Sequence, residues 1–242
     1  MYLRKRSGIT ARKKVYVIWQ KQLQNWFIVP SQRFTMYLMG HEPLTASFLK
    51  KVIKPGNVFI DVGSFIGFYS ILAAKLAATV VSLEPDPRSF KILLYNIEIS
   101  GVKDKIIPIN VAAGSSKTFL DLKLASSLAE SSFTNYLSDN KIVGVIKVPS
   151  ITLDELFMSL KLNRVDVIKI DVEGAGLDVI KGAEHIISMF KPRIIFEVHR
   201  YARNDELLAI KILKERFKYN WSIIEFKSKH NFICHLVPTV KI

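Results

Sequence analysis

The stretch Val58-Phe59-Ile60-Asp61-Val62-Gly63-Ser64-Phe65-Ile66-Gly67-Phe68-Tyr69-Ser70 decides the fold. An apolar run of the buried-strand kind ends in an acid, a turn with two glycines follows, and helical spacing begins at Gly67. Gly63 lets the backbone turn and approach a ligand closely, and Gly67 permits close contact where the helix starts.

The same alternation extends in both directions. Upstream, helical spacing runs from Pro43 to Ile53 and ends in the turn Lys54-Pro55-Gly56-Asn57, with a weak strand pattern over Arg33 to Leu38. Downstream, Thr79 to Leu83 reads as a strand. Asp86 caps a helix with Pro87 at its first position, Gly101 stops it, and Ile106 to Val111 is the third strand. Gly114 to Asn140 has no clear period and reads as an insertion or hairpin pair, with Val143 to Val148 one of its strands. Thr152 and Glu155 form a capping box. A strand (Val165 to Asp171), a helix (Leu177 to Met189) and a strand (Ile194 to Val198) follow. A helix capped by Asn204 or Asp205 then runs to Phe217, and two closing strands follow it, Trp221 to Phe226 and Phe232 to Leu236. This order predicts an α/β fold, a doubly wound and mostly parallel sheet with an antiparallel edge.

The chemistry gathers at the ends of those strands. Glu84 follows the second strand about 20 residues past the first glycine, where a carboxylate accepts hydrogen bonds from two ribose hydroxyls. A dinucleotide loop would show G-x-G-x-x-G and present backbone amides to a pyrophosphate. Here the spacing is G-x-x-x-G, preceded by Asp61, and an acid there opposes a pyrophosphate and suits a cationic ligand. S-adenosylmethionine carries a sulfonium and an ammonium and no phosphate, so it is the expected cofactor, and a nicotinamide-dependent dehydrogenase is disfavoured.

Ile168-Lys169-Ile170-Asp171-Val172-Glu173-Gly174 is a strand running into two acids. Lys169, Asp171 and Glu173 share a face, and a lysine on a central strand needs a partner, so an ion pair with Asp171 or Glu173 is expected. Asp171 is also placed near the methionine end of the cofactor. Phe196-Glu197-Val198-His199 ends the next strand, with Glu197 and His199 on one face. His199 is the candidate general base, because its unperturbed imidazole titrates near neutrality. No metal site is assigned: the same acids and His199 offer ligands to a hard divalent cation, but no asparagine or further histidine clusters with them.

The 242 residues are 49% apolar, the composition of one well-buried domain with an appendage. No run of about 18 apolar residues suggests a membrane span. The basic start is followed by a stretch broken by Gln20, Lys21, Gln22, Gln24 and Asn25, unlike a signal peptide. The single cysteine, Cys234, reads as a buried residue in a reducing compartment, so a cytoplasmic location is expected. The net charge of +14 suits anionic partners or serves solubility. From Met1 to Arg33 there are eight basic residues (Arg4, Lys5, Arg6, Arg12, Lys13, Lys14, Lys21 and Arg33) and no acids, interleaved with Tyr16, Ile18, Trp19, Leu23, Trp26 and Phe27. A helix here would carry a basic face and an aromatic face, suited to nucleic acid or to the inner membrane surface. The favoured reading is a cap helix that lays its aromatics on the domain.

The segments Pro55 to Ser64, Glu84 to Pro87, Thr152 to Leu156, Ile168 to Gly174, Lys181 to Glu184 and Glu197 to His199 together resemble the FkbM family of class I methyltransferases, over roughly Glu42 to His199. The resemblance implies a seven-stranded Rossmann-like domain over residues 42–242 behind a basic extension over 1–41. It implies S-adenosylmethionine as donor and a hydroxyl of a sugar, glycan or small metabolite as acceptor. It implies Asp61, Gly63, Ser64, Phe65 and Gly67 beside the methionine, Glu84 on the ribose, and Asp86 and Ala112 flanking the adenine. The candidate catalytic group is His199, Glu197, Asp171 and Glu173. One departure stands out: the family carries an acid two residues after Gly174, where this chain has Gly176. The alternatives are an RNA methyltransferase using the basic arm and a non-catalytic S-adenosylmethionine-binding module. Against the first, no Asn-Pro-Pro-Tyr-like motif follows the strand at Ile168.

Overall fold

The structure, a computed structural model, describes residues 15–30, 37–38, 40–128, 131–133, 142–227 and 231–239. It opens on β1 (Val15–Gln20) and β2 (Asn25–Pro30), an antiparallel hairpin in which Trp19 lies opposite Trp26. The expected N-terminal helix is therefore corrected to a hairpin. β-branched and aromatic residues repeat here with period two: Ile18, Phe27 and Val29 are buried, and Val17, Trp19 and Trp26 face outward. The polar run Gln20 to Asn25 makes the turn, in which the Gln20 side chain accepts from the Gln22 backbone N–H. Ile18, Leu23, Phe27 and Val29 join the domain core, as the cap reading expects, but the two tryptophans do not. Tyr37 and Leu38 are helical, which corrects the described end of the strand expected over Arg33 to Leu38. The basic residues Arg4 to Lys14 and Arg33 lie outside the described residues.

The alternation then follows: α1 (Pro43–Val52), β3 (Val58–Val62), α2 (Phe68–Lys75), β4 (Thr79–Leu83), α3 (Pro87–Ile99) and β5 (Ile106–Ile109). Next come β6 (Ala112–Ala113), β7 (Thr118–Ala125) and β8 (Ile142–Ile151), a separate three-stranded sheet that answers the expected insertion. The chain returns through α4 (Leu153–Ser159), β9 (Val167–Ile170), α5 (Gly176–Lys181), α6 (Glu184–Phe190), β10 (Arg193–Val198), α7 (Arg203–Glu215), β11 (Tyr219–Phe226) and β12 (Phe232–Pro238). The main sheet has seven strands in the order β11-β12-β10-β9-β3-β4-β5. β10, β9, β3, β4 and β5 run parallel, and β12 and β11 make the antiparallel edge.

Period two along the strands divides the core between two faces. Phe59, Val80, Val167 and Ile195 meet α1 to α3 and the hairpin on one side. Ile60, Val81, Ile168 and Ile194 meet α4 to α7 on the other. Two element boundaries differ from expectation. The helix expected from Leu177 to Met189 is two helices, broken at Gly182 and Ala183, because Asp154 takes hydrogen bonds from the backbone N–H groups of His185 and Ile186 and starts α6 there. The last helix begins at Arg203 after Ala202, so Asn204 and Asp205 lie in its first turn, where the acid complements the helix dipole. Among the described residues no helix is long and apolar enough to cross a membrane.

Candidate active site

The chain leaves β3 towards β4 and β5, then returns on the other side of β3 through β9 and β10, so the strand order reverses between β3 and β9. Open α/β sheets bind ligands outside the carboxyl ends of the strands at such a reversal. A cavity of about 1040 Å³, counted to its open mouth, lies there. Of the residues expected in the site, Gly63, Ser64, Phe65, Glu84, Ala112, Asp171 and Glu173 line it. Asp61, Gly67, Asp86, Glu197 and His199 stand behind that lining.

Glu84 organises one end. Its two carboxylate oxygens accept from the backbone N–H of Phe65 at 2.8 Å and of Asp86 at 2.9 Å. It thereby ties the glycine loop to the start of α3. Burial pushes its carboxyl up to about 8, against the pull of those two hydrogen bonds. Gly63 sits at φ 77°, and a Cβ there would stand 1.8 Å from the Asp171 carbonyl oxygen. The glycine thus allows the ends of β3 and β9 to close on each other. Asp61 lies two residues earlier on β3, only 1% exposed. It accepts from Ser70 at 2.6 Å and lies beside Lys169 in the β3–β9 register, so it underpins the loop and does not face the cavity. Asp86 caps α3, pairs with Arg88 and accepts from Ser131, and it is Ser131 that reaches the cavity.

The other end is a buried charge network. Lys169 Nζ lies 3.0 Å from Asp171, which settles the expected ion pair on that residue, and 5.0 Å from the Tyr69 ring centre. Burial opposes the Lys169 charge, but Asp171, Asp61, Glu42 and Glu197 outweigh it and raise its pKa. Lys227 bridges Glu42 and Glu197, at 2.7 Å from each, and Tyr69 donates to Glu42 at 2.5 Å. His199 is buried at 4% exposure, with Nδ1 3.2 Å from Glu206 and Nε2 3.4 to 3.7 Å from Glu197, Asp171 and Glu173. Burial disfavours its charge, yet the Glu206 hydrogen bond and the three neighbouring carboxylates push it up to about 10. An imidazole that already holds its proton at neutral pH cannot take another.

Glu42, Tyr69, Lys227 and His41 also line the cavity and were not singled out by the sequence. Tyr69 lies inside the deciding stretch, on the first turn of α2. Lys227 and Glu42 carry no local signal, because only the pairing of β11 with β12 and the position of α1 bring them together.

The departure at Gly176 has a steric reason. A Cβ there would stand 2.4 Å from Phe196 Cζ, and Phe196 is fully buried. The phenyl ring occupies the space that an acid would need. Gly176→Asp is expected to destabilise the fold by about 2–4 kcal/mol, through overpacking and a buried charge. Phe196→Ala in the same chain should restore part of the loss, and thermal melts of the two variants and the pair measure it. Independent, additive losses would exclude this explanation.

A family model described as the methyltransferase FkbM domain matches residues 61–235. The chain belongs to the FkbM methyltransferase family. Within this family S-adenosylmethionine is the methyl donor, and the chain is a methyltransferase. The hexuronic acid methyltransferase AglP of Haloferax volcanii is 28% identical over 196 residues, spanning 81% of this chain and 77% of that protein. The structure of a methyltransferase FkbM from Methylobacillus flagellatus shares the fold at TM-score 0.54 and 17% identity, over 84% of this chain. This chain spans about half of that longer protein, 52%. The O-methyltransferase from Bacillus cereus, solved with S-adenosylhomocysteine, shares the fold at TM-score 0.55 and 14% identity, over 85% of this chain and 87% of that one.

Proposed function

We propose that the protein transfers the methyl group of S-adenosylmethionine to a hydroxyl oxygen of a sugar or glycan. The carrying observation is that one cavity holds Glu84 and the glycine loop at one end and the carboxylates of Asp171 and Glu173 at the other. The named relative that acts on a hexuronic acid supports a saccharide acceptor. In this reading Glu84 accepts from the two ribose hydroxyls, residues 63–65 carry the methionine, and Ala112 flanks the adenine. Asp61 and Asp86 act behind them as positioning residues.

The cofactor supplies an activated methyl group, so the protein's work is alignment and exclusion of water. When bound, the cofactor would supply the methyl group to the acceptor oxygen and keep the electron pair of the broken carbon–sulfur bond on sulfur, and a carboxylate at the end of β9 would take the hydroxyl proton. His199, protonated and off the cavity wall, holds Asp171 and Glu173 in place. Glu197 shares that role.

The outward face of the hairpin, with Val17, Trp19 and Trp26, adjoins a basic run in the sequence and supports peripheral contact with an anionic surface. Such contact would bring the enzyme to an acceptor carried there, from the cytoplasmic side.

The test is transfer of labelled methyl from S-adenosylmethionine to neutral and uronic saccharides, with RNA in parallel. Label in a saccharide is the expected result. Label in RNA with steep salt dependence would replace this reading, and cofactor binding without transfer to any acceptor would favour a binding module. Cofactor affinity carries a pH signature as well. Glu84 is protonated in the free protein below about 8, and the ribose requires the carboxylate. Affinity is therefore expected to fall as pH falls, by about 25-fold from pH 7.5 to 6, since each pH unit well below the pKa costs about 1.4 kcal/mol. A flat profile in isothermal titration would remove Glu84 from the ribose.

A further inference from the structure

Behind the acceptor end, three ligand atoms from two strand ends converge on one point. His199, Asp171 and Glu173 each offer an atom, and all three lie within 4.8 Å of one another. His199 Nε2 faces Asp171 Oδ1 at 3.6 Å, Glu173 Oε2 at 3.7 Å and Glu197 Oε1 at 3.4 Å. A protonated nitrogen among carboxylates draws one of them to about 2.7–2.9 Å, and no described carboxylate stands that near to Nε2. Ligands each about 2.1 Å from a tetrahedral ion are instead about 3.4 Å apart, close to the 3.4 to 3.7 Å from Nε2 to each carboxylate.

Two further observations point to the same place. Glu197 is 4% exposed, and its second oxygen, Oε2, is buried with no hydrogen-bond partner among the described residues. Its other oxygen, Oε1, is the one nearest His199 and is held by Lys227 at 2.7 Å, so Oε2 is the oxygen of Glu197 left for an ion. Glu206 accepts from both the backbone N–H and the Nδ1 of His199. This is the carboxylate–histidine arrangement that orients a metal-binding imidazole, and an ion at Nε2 would displace the proton held there.

We propose that Asp171, Glu173 and His199 hold a divalent first-row cation, with Glu197 as a fourth ligand or a close anionic neighbour. The mixed imidazole and carboxylate donors suit Mn²⁺ or Zn²⁺. Asp171 and Glu173 also line the cavity, so the ion would reach the acceptor oxygen, orient it and lower the pKa of its hydroxyl. This consequence rests on the methyl-transfer reading; the ion site itself does not.

The experiment titrates the full chain, stripped with chelator, with Mn²⁺ alone and follows free Mn²⁺ by electron paramagnetic resonance. One Mn²⁺ per chain is expected, displaced by Zn²⁺, with affinity at least about tenfold weaker in Glu173→Gln and weaker again in His199→Gln. Glu173 is part-exposed, with its side chain 22% accessible, so its amide variant remains informative if the buried histidine variant misfolds. Wild-type and Glu173→Gln chains that bind Mn²⁺ equally, or not at all, would overturn the proposal and leave the cluster's charge to Lys169, Lys227 and the His199 imidazolium. S-adenosylmethionine affinity, measured on the same stripped chain, separates the two readings: cofactor binding with no Mn²⁺ binding sinks the ion and spares the methyl donor site.

Discussion

Glu84→Ala is expected to weaken S-adenosylmethionine binding by about a hundredfold at pH 8.5, where the wild-type carboxylate is charged. Two hydrogen bonds from ribose hydroxyls to a carboxylate contribute about 1.5 kcal/mol each at the low end for charged acceptors, and about 3 kcal/mol is two decades of affinity. The same substitution frees the backbone N–H groups of Phe65 and Asp86, so the glycine loop loses its tie to α3. Glu84→Gln keeps one acceptor oxygen and should fall between, at about tenfold. Isothermal titration of the three proteins reads the order directly. Equal dissociation constants for wild type and Glu84→Ala would show that the ribose is held elsewhere.

Gly63→Ala is expected to be strongly destabilising. Its Cβ would fall 1.8 Å from the Asp171 carbonyl oxygen, a backbone atom that cannot rotate away, at a φ of 77° that side chains rarely adopt. The two effects together are expected to cost about 3 kcal/mol or more, which lowers the melting temperature by on the order of 10 °C in a chain of this size. Cofactor binding should be lost with it, because relieving the clash moves the loop off Glu84. Gly101→Ala supplies the comparison: φ is 65° there, and nothing lies within 4 Å of the added atom. That variant bears the backbone strain alone and should lose about 1 kcal/mol. Similar melts for both variants would mean that β3 and β9 are not closed on each other at Gly63.

The N-terminal segment shows why a one-dimensional pattern misled. Tyr16, Trp19, Leu23, Trp26 and Phe27 sit at spacings of three and four, which mimics a helix face. The actual period is two, on either side of a polar turn. Short amphipathic stretches carry both signals, and tertiary contact with the core chooses between them. Asp61 is a second case. Its place before Gly63 marks a ligand loop, yet it shares a face with the buried Phe59 and lies alongside Lys169. Which strand lies next to β3 is a matter of sheet order, and sheet order is not written in local sequence. His199 is a third. Its location at a strand end was legible, but its protonation depends on Glu206 in the next helix and on acids from β9 and β10.

By itself the sequence determined the alternation of strands and helices, the doubly wound class, the glycine loop, the acid that follows β4 and the family whose donor is S-adenosylmethionine. All of these rest on short-range rules: apolar runs bounded by turn residues, glycine where the backbone bends, an acid at a fixed spacing. Only the tertiary structure decided that Glu42 and Lys227 meet across the cavity, that Phe196 fills the space beside Gly176, and that Asp171, Glu173, Glu197 and His199 surround one point. Those contacts join residues far apart in the chain, and their energies depend on burial and neighbouring charge, which exist only once the sheet has closed.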